Sequence, residues 1–115
     1  MSILIKAAKL IDGKGTTIEN AALLMDGDRI TALGRQADIQ PAEGVEVIDA
    51  GNRTIMPGLV DAHVHLVNSG GPLSAMDARS ASDDDMMILS MKNALLAIKS
   101  GVTTIRDLGG KGFIT

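Results

Sequence analysis

His63 and His65 are the only two histidines in this chain of 115 residues, and a single residue, Val64, separates them. Side chains at positions i and i+2 of a β-strand project from the same face, so a strand here presents both imidazoles to one point in space. Neutral imidazole is a common protein ligand of zinc and related ions. The pair therefore predicts a metal-binding position, against the alternative that both are half-buried histidines with no special role.

Two aspartates are candidates for supporting positions around this pair. Asp61 stands two residues before His63 and could orient a ligand through a hydrogen bond, or else it accepts backbone N–H groups near the start of the strand. Asp107 ends a later predicted strand and is placed at the rim of an active site, or else in a turn or salt bridge beside Arg106. Three further aspartates at 83–85 point in different directions on a helix, which predicts a capping and dipole role and not a cation site.

The elements that must position these residues begin at residue 57. Residues 59–66 are short and apolar, as in a strand buried on both faces, and a glycine-containing loop is predicted at 68–72. Ser82 is the predicted N-cap of a helix that ends before Gly101, and residues 102–105 form a second strand. The order strand, helix, strand predicts a βαβ unit with parallel strands. An apolar helix face is predicted from the spacing of Met87, Met91, Leu95 and Ile98. Core filling beneath the helix is predicted for Met86, Met87 and Met91.

Residues 1–56 have a different pattern, in which short apolar segments alternate with turn residues. Strands are predicted at 3–11, 18–25, 29–33, 45–48 and 54–56. The sequence Asp26-Gly27-Asp28 lies between two apolar segments and predicts a tight hairpin. Several short strands at regular spacing predict a small β-sandwich or an open β-structure.

Composition excludes several classes of function. The chain is 45% apolar with a single aromatic residue, Phe113, so its core must be aliphatic, and the stacking platforms of a single-strand nucleic-acid binder are missing. A formal net charge of −3 also disfavours a nucleic-acid partner. The chain has no cysteine, no signal-peptide pattern at its start and no apolar segment long enough for a membrane helix. We expect a soluble, cytoplasmic protein with no membrane or nucleic-acid partner. The glycines at 109 and 110 lack the remaining pattern of a dinucleotide-binding loop.

Two segments of the chain resemble a known superfamily. Residues 56–65, MPGLVDAHVH, resemble the start of the amidohydrolase superfamily. Residues 101–110, GVTTIRDLGG, resemble the imidazolonepropionase-like group, which includes Xaa-Pro dipeptidases and zinc carboxypeptidases. Weaker similarities at 12–13, 26–34 and 47–51 extend the resemblance over essentially the whole chain.

The resemblance implies a (β/α)8 barrel and a smaller β-sandwich built from both chain termini. It implies one or two divalent metals, usually zinc, held by the His-x-His of the first barrel strand, a carboxylated lysine, two further histidines and an aspartate. The metal activates a water that hydrolyses an amide bond of a small-molecule or dipeptide substrate. By this match, His63 and His65 are metal ligands.

The length of the chain departs from the superfamily, because such a barrel needs about 250 residues. We therefore predict an α/β fold in two parts, in which 1–56 contributes strands to the β-sandwich and 57–115 is the first strand-helix-strand of an incomplete (β/α)8 barrel, truncated after barrel strand two. The lysine, the later histidines and the catalytic aspartate have no counterpart, so no catalytic set is complete. We predict a fragment of a metal-dependent amidohydrolase that is inactive alone.

Two alternatives stay open from the sequence. The chain could be a non-catalytic metal-binding or assembly module that needs a complementary chain, or it could derive from a cyclic amidase or deaminase. Both the main prediction and the first alternative leave apolar surface and a strand edge uncovered. We therefore expect a homo-oligomer or association with a complementing C-terminal chain.

Overall fold

The structure is a computed structural model that describes residues 1–110, without the side chains of residues 75 and 78. The chain divides into two compact units, here called the N-terminal unit, Met1–Pro57, and the C-terminal unit, Gly58–Thr115. Among the described residues, no helix is both long and apolar enough to cross a membrane.

The N-terminal unit is a single sheet of five strands. The strands are β1 (Ser2–Ile11), β2 (Thr17–Asp26), β3 (Arg29–Arg35), β4 (Glu46–Asp49) and β5 (Thr54–Ile55), with a 3-10 helix at Gln36–Asp38. The sheet order is β3-β2-β1-β4, and β5 pairs with β1 beyond β4. Strand β1 is antiparallel to β2 and parallel to both β4 and β5. The five strands agree with the predicted open β-structure, while a second layer that would complete a sandwich stays a prediction.

The turn between β2 and β3 is the hairpin that the sequence predicted. Asp26 pairs with Arg29, which leaves Gly27 and Asp28 as the two-residue loop. Gly27 has a φ of +58°, a conformation that glycine adopts without steric cost. A glycine at the first central position gives the chain a turn whose twist matches that of the flanking strands.

The core of the N-terminal unit lies along its two long strands. The fully or nearly fully buried apolar residues are Leu4, Ala7, Leu10, Ala21, Ala22 and Leu23. The pairing of β1 with β2 keeps one register from Ser2–Asp26 to Ile11–Thr17, and Asn20, which has a φ of +48°, lies between the pairs Ala7–Ala21 and Lys9–Glu19. Leu10, Ala21 and Leu23 form one buried apolar cluster.

The C-terminal unit contains the predicted βαβ unit and one unexpected helix. Its elements are β6 (Leu59–Val64), α1 (Ser74–Ser80), α2 (Asp83–Lys99) and β7 (Val102–Asp107). Strands β6 and β7 are parallel and form a two-stranded sheet. The prediction of a parallel pair separated by a helix is therefore confirmed, and the remaining barrel strands stay a prediction. The sequence did not predict α1, which lies after the expected loop at 68–72.

Both ends of α2 agree with the sequence. The Ser82 hydroxyl accepts the Asp85 N–H at 3.1 Å and donates to the Asp85 carboxylate at 2.6 Å, so one orphan N–H of the first turn is satisfied. The helix ends at Lys99, and Gly101 follows with a φ of +90°. Glycine here lets the chain reverse from the helix into β7 without strain.

The predicted burial of this unit was wrong in two places. On α2, the residues predicted to form the apolar core face, Met87, Met91, Leu95 and Ile98, are exposed, and the buried residues are Met86 and Ser90. Of the methionines predicted to fill the core, only Met86 does so. Strand β6 is largely exposed, although a strand buried on both faces was predicted. The physical reason is the same in both places: two strands and a helix that contacts β7 leave most of the surface of α2 and β6 without a packed neighbour.

Candidate functional site

The two histidines lie at the carboxyl end of β6. His63 is within the strand, His65 is one residue beyond its last residue, and both are exposed, whereas Val64 is half-buried. The two ring centroids are 5.4 Å apart and the ring planes are inclined by 71°. The two imidazoles therefore lie side by side, as the spacing of the pair predicted.

This separation can be tested against the geometry of a shared metal ion. Two imidazoles that bind one tetrahedral zinc, each at about 2.0–2.1 Å, have ring centroids about 5 Å apart. The 5.4 Å between the rings of His63 and His65 fits that requirement. No group of three or more histidine, cysteine, aspartate or glutamate side chains able to hold a metal occurs among the described residues. The pair therefore fits two ligand positions of a metal centre and needs further ligands, since a catalytic zinc has about three from protein.

The imidazole of His65 is fixed by a hydrogen bond to the main chain. Its Nδ1 lies 2.8 Å from the carbonyl oxygen of Gly109 in the loop that follows β7. Because a carbonyl can only accept, Nδ1 must carry the proton in this contact. In the neutral ring, Nε2 then has the free electron pair with which imidazole binds a metal.

The two candidate aspartates have different partners. Asp61 Oδ1 accepts the backbone N–H of His63 at 3.1 Å, which is the backbone-amide alternative considered from the sequence. Asp107 accepts two backbone N–H groups, that of Leu66 through Oδ2 at 3.0 Å and that of Gly109 through Oδ1 at 2.8 Å. The bond to Gly109, two residues further along the chain, is the turn alternative considered from the sequence. The described ion pairs do not include one between Asp107 and Arg106.

One residue of this arrangement was missed by the sequence analysis. Asn93, half-buried on α2, donates through Nδ2 to the carbonyl oxygens of Leu66 at 2.7 Å and Asn68 at 2.9 Å. It lies three and seven residues after Ser90 and Met86, on the buried side of the helix. An asparagine at helical spacing from the apolar Met86 was the signal that could have identified it, because an amide side chain needs hydrogen-bond partners when buried.

A concave surface in the N-terminal unit is apolar. It encloses about 330 Å³ between side chains that include Leu23, Met25 and Ile55. Asp12 is the only ionisable residue in its lining. This groove therefore offers hydrophobic contact and little chemistry, which leaves the His63–His65 end of β6 as the candidate site.

Comparison with known proteins identifies the family of the chain. The sequence model of the amidohydrolase family matches residues 46–112, which is more than half of the chain and includes both histidines. The chain belongs to the amidohydrolase family. The resemblance predicted from residues 56–65 and 101–110 is confirmed.

Relatives of this amidohydrolase chain include two enzymes of the same name and one solved structure. It is 30% identical to the imidazolonepropionase of Pseudomonas aeruginosa (strain LESB58) and 33% identical to that of Porphyromonas gingivalis (strain ATCC BAA-308 / W83). These matches cover 92% and 87% of this chain but only 32% and 30% of the relatives. The crystal structure of a Xaa-Pro dipeptidase with bound methionine is 30% identical, with a TM-score of 0.79, over 99% of this chain and 28% of that one. The amidohydrolase chain thus spans about a third of the length of the curated relatives that it matches.

Proposed function

We propose that this chain contributes the first two metal ligands of a hydrolase that cleaves C–N bonds of small amides. The observation that carries the proposal is the pair of imidazoles 5.4 Å apart at the carboxyl end of β6. In barrels built from βα units, the residues that perform chemistry gather at this end of the strands. Membership of the amidohydrolase family and the names of the relatives support the reaction class.

His63 and His65 would hold a divalent cation, with zinc the first candidate because imidazole is among its usual ligands. When bound, such a metal would supply Lewis-acid polarisation of the scissile carbonyl and a nucleophilic water at neutral pH. The residues of this chain have the supporting roles: the Gly109 carbonyl orients the His65 ring, and Asn93 holds the main chain after it. Whether one or two ions bind depends on ligands outside residues 1–110.

Two substrate classes are supported by different relatives. The Xaa-Pro dipeptidase structure favours a dipeptide or a similar linear amide. The imidazolonepropionases favour a cyclic amide, since an imidazolone is a five-membered ring that contains an amide bond. We place the linear and cyclic amides as first and second candidates and keep deamination as a third.

We also propose that another polypeptide chain covers the exposed apolar residues of α2 and β6. Leu59, Val60, Met87, Ile88, Met91, Leu95, Leu96 and Ile98 are all at least 49% exposed. An apolar surface of this extent on one small unit is typical of a contact surface. A complementing C-terminal chain or a second copy of this chain would bury it, and a cytoplasmic location is proposed from composition alone.

The experiment that tests the metal site compares three alanine variants. His63→Ala and His65→Ala are expected to abolish zinc binding and amide hydrolysis in the chain assembled with a complementing C-terminal segment of a family member. The matched control is Val64→Ala, which changes the residue between the two ligands and leaves both imidazoles in place. Metal content and the release of free amine from a dipeptide and from a cyclic amide are measured for each variant, alone and assembled.

Full zinc content in both histidine variants would contradict the ligand assignment. Hydrolysis by the unassembled chain would contradict the proposal that further ligands are needed, because a catalytic zinc normally has three protein ligands.

A further inference from the structure

Asp107 is placed to tie together the two loops at the carboxyl ends of the parallel strands. It is the last residue of β7 and is half-buried. Each of its carboxylate oxygens accepts a different backbone N–H, that of Leu66 at 3.0 Å and that of Gly109 at 2.8 Å. Leu66 directly follows His65, so this one side chain fixes the distance between a proposed metal ligand and the loop after β7.

Gly109 connects Asp107 to the imidazole of His65 through two hydrogen bonds. Its N–H is bound by Asp107, and its carbonyl oxygen accepts the Nδ1–H of His65 at 2.8 Å. Gly109 has a φ of +113°, in a region that favours glycine and that other residues rarely adopt. A hydrogen bond to its N–H stabilises this conformation and with it the position of the carbonyl that His65 contacts.

We propose that Asp107 is a positioning residue that acts through Gly109 to hold His65 in its Nδ1–H tautomer, with Nε2 free to bind a metal. In this arrangement each carboxylate oxygen of Asp107 accepts a main-chain N–H, and the described contact with the imidazole of His65 is made by Gly109. Groups that bind the second nitrogen of a ligating histidine fix its tautomer and its orientation. This inference rests on the proposed metal-binding function of His65.

Asp61 provides a matched comparison within the same strand. Its carboxylate accepts one N–H, that of His63 at 3.1 Å, and the structure gives it no contact with an imidazole. Replacement of aspartate by asparagine leaves one acceptor oxygen and introduces a donor group. Asp61→Asn can therefore keep the hydrogen bond from the His63 N–H. Asp107→Asn must lose one of its two hydrogen bonds, because it places an NH2 group against a main-chain N–H.

The test reads the imidazole tautomers directly, by long-range proton–nitrogen NMR of the metal-free 115-residue chain. The chain has only two histidines, so the spectrum contains two imidazole patterns, which His63→Ala assigns. Spectra are recorded at about pH 8.5, which is about two units above the pKa of a model-peptide imidazole. We expect His65 to be the Nδ1–H tautomer in the wild type and in Asp61→Asn, and a mixture of both tautomers in Asp107→Asn.

A zinc titration of the same three proteins, followed by the shift of the imidazole signals, gives the second measurement. Loss of a group that orients a ligand typically weakens metal binding by about 10–100-fold, and we expect that effect for Asp107→Asn only. If Asp107→Asn fails to fold, the wild-type spectrum still decides, because an Nε2–H tautomer or a mixture at His65 would overturn the inference.

The two proposals fail in different ways. An unchanged Nδ1–H tautomer in folded Asp107→Asn, with zinc still bound by the wild type, would overturn the role of Asp107 alone. Absence of any zinc-induced shift in the wild type, alone and in the assembled protein, would overturn the metal site. The tautomer measured without metal would then still report what Asp107 does to the His65 ring.

Discussion

The two units of this chain are stabilised in different ways. The N-terminal unit buries apolar residues from two long adjacent strands, with Leu4, Ala21 and Ala22 completely inaccessible. The described part of the C-terminal unit buries only Val67, Met86 and Ser90. All of the candidate chemistry nevertheless lies in the C-terminal unit. The comparison teaches that hydrogen bonds from a few polar side chains, more than a packed core, determine the geometry of the candidate site.

The difference follows from topology. In the N-terminal unit, short turns join β1, β2 and β3, and each new strand forms hydrogen bonds with the one before it. In the C-terminal unit, parallel strands require a long crossover. Its helix α2 contacts β7, while β6 stays largely exposed. The loops after β6 and β7 must therefore be fixed by Asn93 and by Asp107, whose four main-chain bonds are 2.7–3.0 Å long.

The largest expected effect is on the free energy of unfolding, when a buried leucine of the N-terminal unit is compared with an exposed leucine of the C-terminal unit. Leu4→Ala removes a side chain that is 0% exposed, and we expect a loss of about 2–5 kcal/mol in the free energy of unfolding. Leu95→Ala is the matched control on α2, where the side chain is 53% exposed, and we expect a change within about 0.5 kcal/mol. Both changes are measured by urea unfolding that is monitored through the hydrogen exchange of amides in each unit, because two units of one chain can unfold separately.

Leu4→Ala and Leu95→Ala also show whether another polypeptide chain covers α2. In the chain assembled with a complementing segment, the cost of Leu95→Ala should rise towards that of a buried leucine. A large cost that is already present in the isolated chain, and that disappears on dilution, would show that a second copy covers this helix. A cost of Leu95→Ala that is as large as that of Leu4→Ala at every dilution of the isolated chain would contradict the contrast between the two units.

The second expected effect concerns the close approach of Gly58 to the side chain of Thr103. A Cβ built on Gly58 would contact Oγ1 and Cγ2 of Thr103 and would lie 2.7 Å from its Cβ. Gly58→Ala therefore forces apart the start of β6 and β7, where the Leu59 N–H donates to the Gly101 carbonyl at 2.9 Å. We expect a loss of about 1–3 kcal/mol in the free energy of unfolding of this unit, as for other overpacked positions. Protection of the Leu59 amide from hydrogen exchange measures the loss.

Gly71→Ala is the control for this experiment. The nearest atom to a Cβ built there is the Ser69 hydroxyl oxygen at 3.5 Å, an ordinary contact. We expect a change within about 0.5 kcal/mol. The double variant Gly58→Ala with Thr103→Gly should recover part of the lost stability, since the pair interacts directly. Equal effects of the two alanine substitutions would show that the strands can separate at Gly58 without cost.

Much of the fold was predictable because the signals are local. The glycine of the 27–28 hairpin, the Ser82 cap and Gly101 each act within a few residues, and the structure confirms all three. Helix α1 has no such signal, since its N-cap position is Leu73 and no side chain caps it. The spacing of apolar residues could not select the buried face of α2, because apolar residues occur on both sides of that helix.

The candidate site was predictable only in part, for a related reason. The spacing of His63 and His65 is a property of one strand, and the structure places their rings side by side. The contact between His65 and Gly109 joins residues that are 44 positions apart, and that between Asn93 and Leu66 joins residues 27 apart. Contacts of this kind depend on how β6, α2 and β7 are assembled, which residue spacing along the chain does not specify.

The smallest expected effect concerns a turn of the N-terminal unit that is held by a charge. Asp12 Oδ1 accepts the backbone N–H of Lys14 at 2.7 Å and that of Thr16 at 2.9 Å. These two hydrogen bonds, with that from Lys14 the stronger influence, hold the pKa of the Asp12 carboxyl below its ordinary value of 3.8. A carboxyl with a lowered pKa in the folded state stabilises the fold above the unfolded pKa, and this contribution is lost as the pH falls through the folded pKa.

Asp12→Asn and Asp12→Ala separate the charge from the hydrogen bonds of this turn. The stability advantage of the wild type over Asp12→Asn should be constant above about pH 5 and should narrow as the pH falls below about 4. Asp12→Ala removes the acceptor altogether and should be the less stable variant at every pH. Urea unfolding midpoints across this range measure both differences. A gap between wild type and Asp12→Asn that stays constant down to about pH 2 would show that the charge of Asp12 contributes nothing. The turn would then be held by hydrogen bonds without a contribution from charge, and the contrast between a packed N-terminal core and a C-terminal site held by polar side chains would stand without it.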